Sequence, residues 1–211
     1  MENRIPILIN CPRFKQGAID KLPRSFYLRP TLTVARDLLG KYIVRRLKGK
    51  SLIGKIVETE AYLGDNDPAS HAFRGKTKRN EVMFGEGGHL YVYFTYGMHF
   101  CANVVTDAER RGRAVLLRAV EPLEGRDIMV KNRKLKDAPY KNLTNGPAKL
   151  CEAFGINGRH NGTDLLSDEI LITTGEEIPR KQIISTSRIG ITNGAEKLWR
   201  FYISGNPFVS K

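Results

Sequence analysis

KYIVRRLKGKSLIGKIVETEAYL, residues 41–63, is the stretch on which the fold turns. Lys41 to Leu47 reads as a strand, Lys48-Gly49-Lys50-Ser51 as a hairpin turn, and SLIGKIVETEA as the returning strand, so the two pair antiparallel. Alternation puts Leu52, Gly54, Ile56, Glu58 and Glu60 on one side of the second strand, with Ile53, Val57 and Ala61 on the other. Both sides are apolar until the glutamates arrive. A buried carboxylate is costly unless paired or hydrogen-bonded, so acids at this strand's end either meet a basic partner or line a cleft.

On the N-terminal side, Thr33 is expected to cap a short helix over Val34–Leu39, with Gly40 as its left-handed stop. Residues 1–21 read as an irregular arm and 22–211 as one domain. On the C-terminal side, GHLYVYFTYGMHFCANVVT (88–106) is aromatic and β-branched with a Tyr96-Gly97 turn signal, which predicts a second hairpin. AVLLRAVEPL predicts a further strand ending before Pro122. Residues 124–136 are charged enough for a surface helix or loop. In LTNGPAKLCEAFGI, Asn145 and Pro147 mark a helix start and Gly155 its stop. Strands and Gly-rich turns fill Ile170 to Phe208. Hairpins with interspersed helices, rather than strict βαβ alternation, predict a mixed α+β single domain around a largely antiparallel sheet.

The chain has 211 residues, 41% of them hydrophobic and 27% charged, which suits one soluble domain with its own core. No apolar run approaches the roughly 20 residues of a membrane-spanning helix. The N-terminus lacks a signal-peptide succession, so a cytoplasmic protein is expected. Three cysteines, Cys11, Cys101 and Cys151, show no C-x-x-C pairing and read as small core residues. The formal net charge is +13. Such a surface attracts polyanions, nucleic acid foremost, and the clusters at 45–50, 74–79, 110–113 and 131–136 suggest a charged track leading to a cleft. Lys149, beside the helix start at Pro147, and Arg79, which closes the second cluster, are candidate phosphate contacts.

Arg118, inside the apolar strand, is the natural partner of the strand-end acids. The pair is either a structural ion pair or a general base held beside an arginine. A metal site built from Glu58, Glu60, Asp65, Asp67 and His71 fits poorly, because the spacing matches neither a calcium loop nor a zinc motif. Asp65 to Asp67 read as a solvated turn, and neither metal nor cofactor is expected. Among the aromatic residues, Tyr91 reads as packing. Tyr96, next to a turn glycine, is expected to project outward and stack on bases.

VETEAYLG, the His of DPASH, KRNEVMF, LYVYFTYGMHFCANV, VLLRAVEPLEG, NGPAKLCEAFGI and RFYISGNPFVS together resemble the alkyladenine (3-methyladenine) DNA glycosylase family, in order from about Leu22 to the C-terminus. The resemblance implies a curved antiparallel sheet with a hairpin that enters the minor groove of damaged duplex DNA. It also implies a monomeric, metal-free, monofunctional enzyme that flips an altered purine out of the helix and leaves an abasic site. It assigns the general base to Glu60, with Arg118 helping to hold the attacking water. Tyr62, His71 and Tyr93 would stack on the flipped base, Asn103 would obstruct guanine's amino group, and Tyr96 would fill the gap in the duplex. This chain departs in carrying His99 where relatives have tyrosine. 3-Methyladenine, 7-methylguanine, hypoxanthine and ethenoadenine all remain possible substrates. An RNA-binding module would leave Glu60 beside Arg118 without a role, and a metal-dependent nuclease would be abolished by chelation.

Overall fold

In the computed structural model, which describes residues 20–136 and 140–210, the hairpin of residues 41–63 forms as β1 (Tyr42–Leu47) and β2 (Lys50–Leu63). Leu47 pairs with Lys50, so the turn is only Lys48-Gly49, and Gly49 takes a left-handed φ of +70°, which glycine adopts without steric cost. Most of the expected N-terminal arm, with Cys11, lies outside the described residues.

Every other strand is placed relative to β2. Its first half pairs with β1, whose far edge holds β6 (Ile170–Thr173). On the second half, Glu58–Glu60 pair with β8 (Arg200–Ile203), which carries β7 (Ile183–Thr186). The opposite edge pairs with β5 (Arg113–Glu124), followed outward by β4 (His99–Thr106) and β3 (Leu90–Thr95). All these pairings are antiparallel, which gives an eight-stranded sheet with four α-helices among the described residues, an α+β architecture.

Strict alternation along β2 fails at one place, and that place sets the site. The register against β5 shifts on both sides of Glu58, the signature of a β-bulge. Leu52 and Ile56 precede it in the main core, and Val57 and Ala61 follow it in the same core. Thr59 points to that side too, its hydroxyl donating to the Ala35 carbonyl at 2.8 Å. The bulge therefore turns Glu58 and Glu60 onto the face opposite Ile56, not onto the same face as simple alternation predicts.

Helix α1 (Arg24–Tyr27) is a single turn, and α2 (Thr31–Asp37) begins earlier than Thr33. Pro30, fixed at φ −51°, starts it, and its carbonyl accepts from the Thr33 and Val34 amides. Strand β5 also runs through Pro122, which pairs with Gly54 beside a register shift. There β5 no longer pairs with β4, so the missing proline N–H costs no ladder bond. Helices α3 (Arg126–Asn132) and α4 (Pro147–Phe154) pack together, and Phe154 lies over Gly54, where a Cβ would come within 3.1 Å of its ring. Gly155 ends α4 at φ +61°, as its position predicts.

Candidate active site

Both strand-end glutamates have no exposed surface, yet their surroundings differ. Glu58 Oε1 accepts from Arg118 Nε (3.0 Å), Arg200 Nε (2.6 Å) and Ser210 Oγ (2.8 Å), and Oε2 accepts from the Ser210 amide (2.6 Å). A carboxylate offers about four acceptor positions, so Glu58 is saturated. Glu60 Oε2 accepts from the Tyr62 hydroxyl (2.9 Å) and lies 3.2 Å from Arg118 Nη1, while among the described residues Oε1 accepts only from the Ile189 amide (2.7 Å). It keeps acceptor capacity. Burial works against the Arg118 charge, but Glu60 and Glu58 outweigh it and hold the guanidinium above its ordinary pKa.

Arg118, Tyr62 and Ile189 form part of the wall of a cavity of about 280 Å³. That volume lies near the lower end of small-molecule sites, roughly 300 Å³ upward, and suits one flat ring system. Tyr62, His71, Tyr93, Tyr96 and Asn103 line it as well, so it joins β2, β3, β4 and the middle of β5 to the loop before β8. His71 and Tyr93 meet edge to face with centroids 4.5 Å apart, and Tyr91 stacks on Tyr93 at 5.4 Å. Tyr91, expected as packing only, also lines the cavity and shares a 3.0 Å hydrogen bond between its hydroxyl and His71 Nδ1. Asn103 Nδ2 donates to the Tyr91 carbonyl at 3.2 Å. Burial, then the Arg79 charge, lowers the His71 pKa, so the ring is neutral at neutral pH. Burial, then Glu60, raises Tyr62, whose hydroxyl remains a donor. Cys101 lines the cavity beside Tyr93 instead of only filling the core, and burial raises its thiol pKa.

At the tip of the β3–β4 hairpin, Tyr96 is 84% exposed and has φ +50°, with Gly97 at +67°. Positive φ at both central residues is the pattern of a type I′ turn, and for a bulky side chain it is strained. Met98 and Phe94 are exposed beside it, as is His99. The candidate phosphate contacts stand outside the cavity lining. Arg79 donates to the Phe94 carbonyl and lies 5.8 Å from the Tyr93 ring centroid, and Lys149 Nζ donates to Asn145 Oδ1 at 2.9 Å.

Asp67 corrects the reading of 65–67 as a solvated turn. Asp65 and Asn66 are exposed, but Asp67 is fully buried and grips Arg188 with both oxygens. Among the described residues no group of three or more His, Cys, Asp or Glu is placed to hold a metal ion. Sequence reasoning missed Arg188 and Ile189, which sit in a loop with no periodic pattern. The one signal was an isolated arginine between Ser187 and Ile189. A larger groove, about 420 Å³, lies between α2 and residues 177–183. Its lining holds none of the acid, tyrosine and histidine groups above.

The methylpurine-DNA glycosylase family model matches residues 25–207. A protein of Carboxydothermus hydrogenoformans named "Putative 3-methyladenine DNA glycosylase" is 56% identical over 191 residues, covering 90% of this chain and 98% of that protein. Proteins of the same name from Chlorobium phaeovibrioides and Clostridium perfringens are 47% and 45% identical, covering 92% and 90% of this chain and 98% and 99% of their own lengths.

Proposed function

The chain belongs to the methylpurine-DNA glycosylase family, and on that premise we propose that it is a monomeric repair enzyme that removes alkylated or deaminated purines from duplex DNA. The observation that carries the proposal is the free acceptor capacity of Glu60, directly behind a cavity walled by Tyr62, His71 and Tyr93.

A stacked base cannot reach that cavity, so its nucleotide must rotate out of the helix at a cost of a few kcal/mol. Tyr96, exposed and held outward by its turn, fills the vacated space. The base then lies against Tyr62, His71 and Tyr93. Alkylation at ring nitrogen often makes it cationic, and electron-rich rings favour it over a neutral base. The neutral state of His71 keeps a competing charge out of the pocket. Asn103, on the cavity wall, obstructs the amino group of guanine.

Cleavage of the N-glycosidic bond develops positive charge on the sugar. Glu60 stabilises that charge and takes a proton from the attacking water, which Arg118 helps to hold. The carboxylate lies behind Arg118, Tyr62 and Ile189 of the cavity wall, so the attacking water approaches it from the cavity side, beside Arg118. The products are a free base and an abasic site. Among the described residues no lysine lines the cavity to form a Schiff base. Lys149 and Arg79 contact backbone phosphates of the bound DNA. Among the described residues no helix is long and apolar enough to cross a membrane, and we place the activity in the cytoplasm with the DNA.

The direct test is incubation with duplexes carrying a single hypoxanthine, ethenoadenine or 7-methylguanine in EDTA, followed by alkali. Alkali-labile breaks at the lesion support the proposal. Breaks without alkali, or a borohydride-trapped adduct, would reassign the chemistry to a lyase, and abolition by EDTA would favour a metal-dependent nuclease.

A further inference from the structure

We propose that Asp67 and Arg188 are a positioning pair that sets the rate of base release by holding Tyr62 and the Ile189 amide against Glu60. The inference rests on the roles given above to Glu60 and Tyr62.

Neither side chain of the pair has exposed surface. Arg188 Nη1 donates to Asp67 Oδ2 at 2.5 Å and Nη2 to Oδ1 at 2.7 Å, a two-pronged match that fixes the plane of the guanidinium. Two contacts then run into the site from that plane and a third from the residue that follows it. Nη1 also donates to the carbonyl of Ala61, the residue between Glu60 and Tyr62, at 2.9 Å. The guanidinium carbon lies 4.7 Å from the centroid of the Tyr62 ring. The next residue, Ile189, gives its amide to Glu60 Oε1 at 2.7 Å. Asp67 is anchored in turn by the amides of Leu63 and Ala69, which ties the turn after β2 to the same centre.

Stability alone is a weak reason for this arrangement, because well-packed apolar residues often replace a buried ion pair without loss. Direction is a better one. A planar fork locks orientation in a way that lysine, with a single ammonium, does not. The charge of Arg188 also lies against a ring that is to stack on a cationic base, and Asp67 neutralises it there.

The experiment measures single-turnover release of hypoxanthine from duplex DNA by Arg188→Lys and Asp67→Asn at saturating enzyme, with binding of an uncleavable abasic-analogue duplex measured in parallel. Only folded molecules contribute to the exponential, so misfolding lowers its amplitude and mispositioning lowers its rate constant. We expect rate constants to fall between about tenfold and a hundredfold, with affinity nearly unchanged. Asp67→Asn is isosteric and keeps an acceptor for Arg188, so it carries the test if Arg188→Lys does not fold. Asp67→Asn should also slow release of cationic 7-methylguanine more than that of neutral hypoxanthine. Wild-type rate constants in the folded fraction, with only amplitude or melting temperature reduced, would make the pair merely structural. Failure of the wild-type protein to release any base would instead sink the underlying assignment.

Discussion

Two glutamates one residue apart keep different acceptor capacity because of what their oxygens already hold. Glu58 is filled by Arg118, Arg200 and Ser210, so Glu58→Ala takes a carboxylate partner from the buried Arg118 and the half-buried Arg200 guanidinium groups. Denaturant unfolding should show a loss of about 3–5 kcal/mol. The sequence placed both acids on one side of a strand beside Arg118 but could not rank them. The ranking depends on Ser210, 152 positions away. His71 gives a second residue-scale prediction. Its pKa in the folded protein is lowered, by burial and then by Arg79, from an unfolded value of about 6.5. The unfolded chain therefore takes up its proton first as pH falls. The stability contributed by the neutral ring is present above the unfolded value and lost as pH falls from there through the folded one. A protonated His71 also repels a cationic base. Excision of 7-methylguanine should therefore drop more steeply below neutrality than excision of hypoxanthine, and His71→Gln should narrow that difference in paired pH–rate profiles.

At the scale of elements, both hairpins were legible because turn chemistry and β-branched runs mark them locally. The bulge at Val57 was not, since nothing in SLIGKIVETEA distinguishes a regular strand from one that slips by a residue against β5. The passage of β5 through Pro122 was hidden for a related reason. A proline is tolerated in a strand once that side is unpaired, and pairing is a property of the sheet. The β3–β4 tip invites a direct experiment. Asn-Gly is the preferred pair for a type I′ turn, and asparagine accepts positive φ more readily than tyrosine. Tyr96→Asn should leave the melting temperature unchanged or raise stability by up to about 1 kcal/mol. The same substitution should reduce excision from duplex DNA far more than from single strands. A large fall in melting temperature with normal duplex activity would contradict the role given to the tip.

For the whole molecule, the formal charge of +13 pointed to a polyanionic partner before any motif did. What composition could not supply was convergence. The site draws on β2, β3, β4 and β5, on the loop at 188–191 and, through Glu58, on Ser210, and only the strand order brings these together. Affinity for undamaged duplex should fall steeply with salt, and Lys149→Ala should make the log–log slope shallower by about one unit. An unchanged slope would remove Lys149 from the interface. The central claim, that Glu60 performs the chemistry and Glu58 holds the scaffold, is tested most directly by Glu60→Gln on a duplex with one hypoxanthine. The account predicts near wild-type affinity and folding with base release lost; base release at the wild-type rate would contradict it.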